Sequence, residues 1–216
     1  MAIGNVDDVA INGRVGPIVQ GDGVYSAARL DKTGAMVVSS AHGKYHEAAS
    51  RNKLFIASIG VAGVAPGTAL STSPALILWN PTASGILVSI KQVWVGYVSG
   101  TLGAGMLVHS RNASQVAAPT GGTALVPVCG NLNGVVGTAQ AFTGSTISAT
   151  STLVRPSMSM GAALASSVDF PSVVMDEVDG GIAIPAGVAW CYQGIAAAGT
   201  SPLLSLAVVY EEIAIP

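Results

Sequence analysis

The chain has 216 residues, which is enough for one large domain with a buried core and leaves little room for two. Half of the residues are hydrophobic and 9% are charged, whereas ordinary soluble domains carry roughly 25% charged residues. The formal net charge is −2 and no basic stripe is present, so the sequence does not predict a nucleic-acid partner. Cys129 and Cys191 lack C-x-x-C spacing and are predicted to be buried free thiols.

The charges are concentrated at the start of the chain. Six of the nine lysines and arginines, and five of the eleven acids, lie in residues 1–53. Residues 54–168 contain Lys91, Arg111 and Arg155 as their only charged side chains and have no acid. A monomer with such a surface would associate without control, so we expect much of it to be buried against copies of the chain or a partner. A polar but uncharged surface of Ala, Gly, Ser and Thr is the alternative.

Residues 1–53 also differ from the rest in their pattern. Short apolar runs separated by Gly-Asp-Gly, Asn-Gly and Thr-Gly turn signals predict an extended N-terminal arm without a core of its own. Within the arm, residues 39–53 are expected to form one or two helical turns, weakened by an internal glycine. Residues 54–216 form the second predicted domain. We expect no membrane partner, because residues 1–10 lack the basic start of a signal peptide and glycine and proline interrupt residues 54–70.

From residue 54 onward the sequence predicts a succession of β-strands. Runs rich in β-branched and aromatic residues alternate with Asn-Pro, Ser-Gly, Gly-Gly and Pro-Ala-Gly turns, and no run has an apolar stripe of helical period. Strands without strand–helix alternation imply an all-β antiparallel β-sandwich, for which a jelly roll is the commonest arrangement at this size. The predicted strands are 54–59, 75–80, 86–98, 105–109, 124–129, 146–155, 172–178, 181–184, 188–195 and 203–211.

The three tryptophans, Trp79, Trp94 and Trp190, each fall inside a predicted strand. In the longest of these strands a period-two pattern places Trp94 on the same face as Val88 and Ile90. We therefore expect all three tryptophans to pack in the core. The alternative for each is an exposed ring that stacks on a sugar.

Groups that could perform acid–base catalysis are scarce in the predicted core region. His109 and Cys129 are its only side chains that titrate near neutrality, and no carboxylate accompanies them before residue 168. The acids Asp176, Glu177 and Asp179 precede a Gly-Gly pair and are interpreted as a solvated hairpin tip. The sequence thus predicts no catalytic residue, no cofactor-binding residue and no enzymatic activity.

Binding motifs are equally weak. His42 and His46 stand four residues apart but lack a clear third ligand, so we interpret them as part of a polar interface segment and predict no metal site. The glycines of residues 100–105 lack the Lys-Ser/Thr ending of a phosphate loop, and a hairpin turn is expected there. Two long connections with few charges, 110–123 and 158–171, are the expected places for any binding.

Five segments, taken in order, resemble a group of tailed-bacteriophage virion proteins. The resemblance extends from about residue 30 to residue 212 and depends on pattern and order, without one diagnostic motif. The segments are LDKTGAMVVSSAHGKYHEAASRNKLF, LILWNPTASGILVSIKQVWVGYVSGTLGAG, TLVRPSM, DEVDGGIAIPAGVAWCYQG and LAVVYEEI. The resemblance implies a jelly-roll protein of the virion that is made in the bacterial host cytoplasm, with no catalytic residues to transfer.

The role that the resemblance implies is capsid decoration or cementing, in which the protein coats or stabilises the head. The implied partners are copies of the chain itself, as a homo-oligomer and preferably a homotrimer, and the major capsid protein or other virion proteins. The alternative is a tail- or fibre-associated receptor-binding protein that contacts a host carbohydrate. A hydrolase on a sandwich scaffold is disfavoured by the missing carboxylates.

Overall fold

The structure is a computed structural model, and it describes residues 43–160, 173–196 and 199–215. The segment Tyr45–Pro216 is one compact unit. Most of the arm predicted for residues 1–53 lies outside the described residues, so the arm remains a prediction. Residues 45–53 belong to the same compact unit as the strands that follow them.

The described residues form one short helix and eleven strands. The helix lies inside the segment for which one or two helical turns were predicted. Across the described ranges, no helix has the length and apolar character needed to cross a membrane. The elements are α1 (His46–Ser50), β1 (Leu54–Ser58), β2 (Leu76–Asn80), β3 (Ile86–Ser99), β4 (Met106–Asn112), β5 (Thr123–Leu125), β6 (Val128–Cys129), β7 (Gln140–Thr143), β8 (Thr152–Ser159), β9 (Val173–Ile184), β10 (Val188–Ile195) and β11 (Leu203–Ala214).

The strands build two sheets that pack face to face. The five-stranded sheet has the order β6-β1-β11-β3-β9, and the six-stranded sheet has the order β5-β7-β2-β10-β4-β8. All neighbouring strands in both sheets are antiparallel. The predicted all-β antiparallel sandwich is therefore confirmed, while its jelly-roll connectivity stays a prediction at this point.

The hydrophobic core lies between the two sheets. Phe55, Leu206 and Tyr210 enter it from the five-stranded sheet, and Leu78 and Trp190 enter it from the six-stranded sheet. Each of these side chains is at most 2% exposed. Because burying a large apolar side chain contributes about 1.5–3 kcal/mol, this shared cluster is the main source of cohesion between the sheets.

A β-bulge in β3 decides which of its residues face the core. The registers of β3 with β9 and with β11 both shift between Ile90 and Gln92, so Lys91 is an extra residue. Ile90 before the bulge and Val93 after it are both fully buried, which means that the core-facing positions change from even to odd numbers. Trp94 consequently faces outward and is 39% exposed, and the prediction that it packs in the core was wrong.

Three regions between residues 124 and 159 differ from the predicted strands. The run 124–129 is divided between β5 and β6, which belong to different sheets. Strand β7 was not predicted, because its four residues contain no β-branched run. Strand β8 begins at Thr152, so only the second half of the run 146–155 is extended in a sheet.

The acids near residue 176 lie within one long strand. The two runs predicted as separate strands are joined in β9, where Asp179 and Gly180 have φ values of 49° and 82°. These positive φ values distort the strand without turning it back. The interpretation of Asp176, Glu177 and Asp179 as a hairpin tip was therefore wrong.

The core can be tested by truncating Leu206, which is 0% exposed. We expect Leu206→Ala to lower the free energy of unfolding by about 2–5 kcal/mol, because the apolar contacts are lost and a cavity remains. Urea unfolding followed by circular dichroism measures the change. Val61→Ala is the control, since Val61 is 99% exposed, and it should change the value by less than about 0.5 kcal/mol. Equal losses in the two variants would contradict the assignment of the core.

Candidate functional site

A buried polar network joins the two sheets on the side where β8 and β9 are the last strands. Its centre is the carboxylate of Asp176 on β9. His109 Nε2 lies 2.8 Å from Asp176 Oδ2, and Arg155 Nη2 donates to Asp176 Oδ1 at 3.0 Å. The hydroxyl of Ser157 also donates to Oδ2. One carboxylate from the five-stranded sheet thus accepts hydrogen bonds from three side chains of the six-stranded sheet.

Strand β10 supplies two aromatic side chains that complete the network. Trp190 and Tyr192 are two residues apart, so both point to the core face of the sheet. Tyr192 donates from its hydroxyl to Ser157 Oγ at 2.8 Å, and Trp190 donates from Nε1 to His109 Nδ1 at 3.1 Å. The rings of His109 and Tyr192 meet edge to face with centroids 5.1 Å apart. The imidazole is therefore held by the neighbouring strand β10 and, across the core, by Asp176 of β9.

The hydrogen bonds fix the protonation state of His109. Because Trp190 donates to Nδ1, this nitrogen is an acceptor, and the single ring proton must lie on Nε2, where it donates to Asp176. The side chain is 0% exposed. Burial lowers the pKa of His109 below its usual value and outweighs the hydrogen bond to Asp176, which raises it. The imidazole is neutral at pH 7, with both nitrogens engaged.

Asp176 is ionised because its hydrogen bonds outweigh the effect of burial on its pKa. Burial alone would raise the pKa of this carboxyl, but the hydrogen bonds from Ser157, Arg155 and His109 together lower it further, so that the net pKa lies below its usual value. Burial also raises the pKa of Tyr192, which keeps the phenol protonated and able to donate. The network therefore contains one carboxylate, one guanidinium and neutral donors.

The network contains Ser, His and Asp without the geometry of a nucleophilic triad. A serine nucleophile needs a histidine nitrogen that can take its proton. Ser157 instead donates to Asp176, and neither nitrogen of His109 is free to accept from it. The arrangement binds the sheets to each other. The sequence singled out His109 and Asp176 separately, but it gave no sign that these residues, 67 positions apart, meet in the fold.

A cleft opens beside the network, between the last strands of the two sheets. Its volume is about 380 Å³. Leu153 and Val154 of β8 line one wall, Gly181–Ile184 of β9 line the other, and Trp190 and Arg111 complete the lining. Arg111 is opposite Trp190 in the ladder between β4 and β10, so its side chain points to the core side of the sheet, where the cleft begins. A cleft of this size, with aliphatic side chains, polar surface and one cation in its lining, is suited to binding.

The outer face of the five-stranded sheet has a second notable surface. Trp94 pairs with Met175 on β9 and with Ala207 on β11, and Val173 lies two residues before Met175. Trp94, Met175 and Val173 are 39%, 41% and 54% exposed. These three residues define what we call the outer patch. It carries no charge of its own, and it places one of the three tryptophans where the alternative of sugar stacking remains open.

The histidine pair considered for metal binding is only partly described, so the prediction about it stays a prediction. His46 lies in α1, where its neighbour Glu47 forms an ion pair with Arg51 at 2.6 Å. His42 lies outside the described residues. Among the residues that the structure describes, no group of three or more His, Cys, Asp or Glu side chains could hold a metal ion.

The remaining sequence predictions have mixed outcomes. Cys129 and Cys191 are buried free thiols, as predicted. Trp79 and Trp190 are buried in the core, also as predicted. The glycines of residues 100–105 do not form a hairpin turn, because they connect β3 and β4, which belong to different sheets. Of the two long connections expected to bind, the described part of each lies next to a strand that lines the cleft.

Comparisons with known proteins give no relative from which a function could be transferred. No protein-family model, curated protein or solved structure matches the chain.

The contribution of Asp176 can be separated from that of its neighbour on the strand. We expect Asp176→Asn to lower the free energy of unfolding by about 3 kcal/mol, because the variant leaves Arg155 and His109 without their charged acceptor. Glu177→Gln is the matched control, since Glu177 is adjacent and exposed, and it should cost less than about 1 kcal/mol. Urea unfolding at pH 7 measures both, and similar values for the two variants would contradict the role of Asp176.

The neutral state of His109 predicts a pH dependence of stability. Its pKa is lower in the folded chain than in the unfolded chain, where it is about 6.5, so the unfolded chain binds more protons as the pH falls. Stability should therefore decrease from about pH 6.5 downward, with a slope of at most about 1.4 kcal/mol per pH unit from this residue. His109→Gln keeps a donor and an acceptor but cannot titrate, and its unfolding free energy should fall less between pH 6.5 and 5. Parallel curves for the two proteins would refute the prediction.

Proposed function

We propose that this protein is a non-enzymatic structural protein of a bacteriophage virion that decorates or cements the head as a homo-oligomer. The observation that carries the proposal is the outer patch in a chain with very few charges. Residues 54–168 contain three charged side chains, and the patch adds exposed apolar area to that weakly charged surface. An exposed apolar patch of this kind favours association in water, so we expect it to be buried against another molecule.

The molecules that we expect to bury the outer patch are further copies of the chain. The outer patch has no charge that would select a partner of opposite sign, and an apolar, self-complementary surface is what a closed symmetric oligomer buries. Burial contributes about 25 cal/mol for each Å² of apolar surface removed from water. A trimer is preferred to a dimer because the resemblance to phage virion proteins implies it.

The strand order supports the jelly-roll topology that the proposal includes. One sheet contains, in order, β1, β11, β3 and β9, and it faces the other sheet with β2, β10, β4 and β8. The chain crosses between the sheets at every step from β1 to β4, and it does so again at every step from β8 to β11. Eight strands in two such sheets correspond to the double Greek key of a jelly roll. Strands β5, β6 and β7 are then an insertion between the fourth and fifth of these eight strands.

Head binding tests the proposed role directly. The purified protein should bind to empty heads that lack it, and the virion should contain on the order of hundreds of copies, as an icosahedral surface requires. Sedimentation of mixtures and quantitative mass spectrometry of virions measure the two quantities. An oligomer that fails to bind empty heads would contradict the decoration role.

The exposed indole of Trp94 favours one alternative, a tail- or fibre-associated protein that binds a host carbohydrate. An outward-facing tryptophan can stack on a sugar ring, with its apolar face against the sugar. In that case the virion would hold only about a dozen copies, as expected at a tail. Binding of the protein to host cells or their polysaccharide, lost in Trp94→Ala, would favour this alternative over decoration.

The oligomer itself can be tested with a charge placed on the outer patch. We expect the wild-type protein to have a mass in solution that is a multiple of 21.4 kDa. Met175→Lys should give monomers with an unchanged circular dichroism spectrum, because the buried charge would remain unpaired in the interface. Val61→Lys, at a site that is 99% exposed, is the control and should leave the mass unchanged. Light scattering that shows a stable wild-type monomer at micromolar concentration would refute the oligomer.

A further inference from the structure

The two sides of the sandwich differ in how their sheets end. On one side the last strands are β6 and β5, which have two and three residues. On the other side they are β8 and β9, which have eight and twelve. Short edge strands offer little backbone for another chain to pair with, whereas long edges invite pairing. Among the described residues, the side with β8 and β9, where the cleft lies, is thus the side open to strand addition.

Most of this open side is protected, and one segment is not. Strand β8 contains Pro156 and two register shifts, both of which hinder pairing at an edge. Strand β9 is distorted at Asp179 and Gly180, where φ is positive. Beyond this distortion, residues 182–184 pair with β3, and no other strand of the described residues pairs with them. Together with Gly181 they line the cleft.

Arg111 is a cation in the lining of the cleft, so the cleft favours a ligand with a negative charge. Lys91 pairs with Glu211 at 2.7 Å and Arg155 pairs with Asp176 at 3.0 Å. Arg111 has no carboxylate within ion-pair distance in the described part of the chain, although it points into a cleft with aliphatic walls. A guanidinium in such a place binds a carboxylate well, because its planar fork matches the two oxygens.

We propose that the cleft binds an extended segment of a partner protein that carries an acidic side chain between aliphatic ones. The backbone of the segment pairs with the outer edge of residues 182–184, where the carbonyl of Ile184 also accepts from Asn80 Nδ2. Its carboxylate binds Arg111, and the aliphatic side chains two positions before and after the acid, which share its face, pack against Leu153 and Val154. This is strand addition, in which main-chain hydrogen bonds supply affinity and side-chain contacts supply selectivity. The inference deepens the proposed function and rests on it for the source of the segment, a neighbouring virion protein.

The lining of the cleft favours a peptide over a sugar. Sugar sites usually present the face of an exposed aromatic ring, and the one aromatic side chain in the lining, Trp190, is 1% exposed with its N–H bonded to His109. Leu153, Val154 and Ile182 instead present aliphatic groups. The alternating side chains of an extended peptide fit such walls next to a strand edge.

Two matched peptides test the proposal on the full-length protein. The probes are acetylated and amidated Val-Thr-Asp-Thr-Val, in which both Val side chains share the face of the Asp, and its counterpart with Asn in place of Asp. In a titration followed by amide NMR shifts, we expect the Asp peptide to shift the amides of Gly181–Ile184 and to bind about tenfold or more tightly than the Asn peptide. Arg111→Gln should remove this difference, whereas Arg51→Gln, which changes an exposed helix cation, should preserve it.

Several results of these titrations would overturn the proposal. Equal affinities of the two peptides for the wild-type protein, or no shifts at Gly181–Ile184 with millimolar peptide, would contradict it. Shifts caused by octanoate but not by the Asp peptide would reassign the cleft to small carboxylates. If the protein binds empty heads but not the peptide, this inference is refuted and the proposed function stands. If it binds the peptide but not empty heads, the proposed function is refuted and the peptide site stands.

Discussion

The hydrogen bonds to the Asp176 carboxylate join the two sheets on the side where each ends in a long strand. The carboxylate remains ionised because three donors surround it, and the donors are satisfied because the carboxylate is ionised. Such mutual dependence makes a buried polar network cooperative. Since Arg155 belongs to β8 and Asp176 to β9, the network also sets the spacing of these strands and hence the width of the cleft beside it.

The sequence predicted the architecture well where local pattern and tertiary packing agree. Strand β10 has the predicted bounds, because its run of large apolar residues is flanked by Pro-Ala-Gly and a small-residue segment. The β-sandwich was predicted because the sequence contains many such apolar runs and none of them has a helical period. The pattern of β3 failed after Lys91, because a bulge inserts one residue and reverses the alternation. A bulge is stabilised by the neighbouring ladders, which are distant in sequence, so a local pattern does not reveal it.

The candidate site was less predictable for a related reason. His109 and Asp176 were both recognised as ionisable groups, but their pairing depends on the packing of β4 against β9 across the core. Arg111 was recognised as one of three charges in a long uncharged stretch. Its position in a cleft became apparent only when the ladder placed it opposite Trp190. Residue types can be read from a sequence, whereas the partners of charges on separate strands require the strand order.

The position of β11 has a consequence for the order in which the chain can fold during synthesis. This last strand of the described chain lies between β1 and β3, so the five-stranded sheet has a gap at its centre until residues 203–214 have left the ribosome. Until then β1 lacks the neighbour that pairs with all five of its residues. Folding dominated by such distant pairings is slow and leaves apolar strands open to aggregation. Removal of residues 207–211 would therefore take away every partner of β1 in this ladder, so the first strand depends on residues made about 150 positions later.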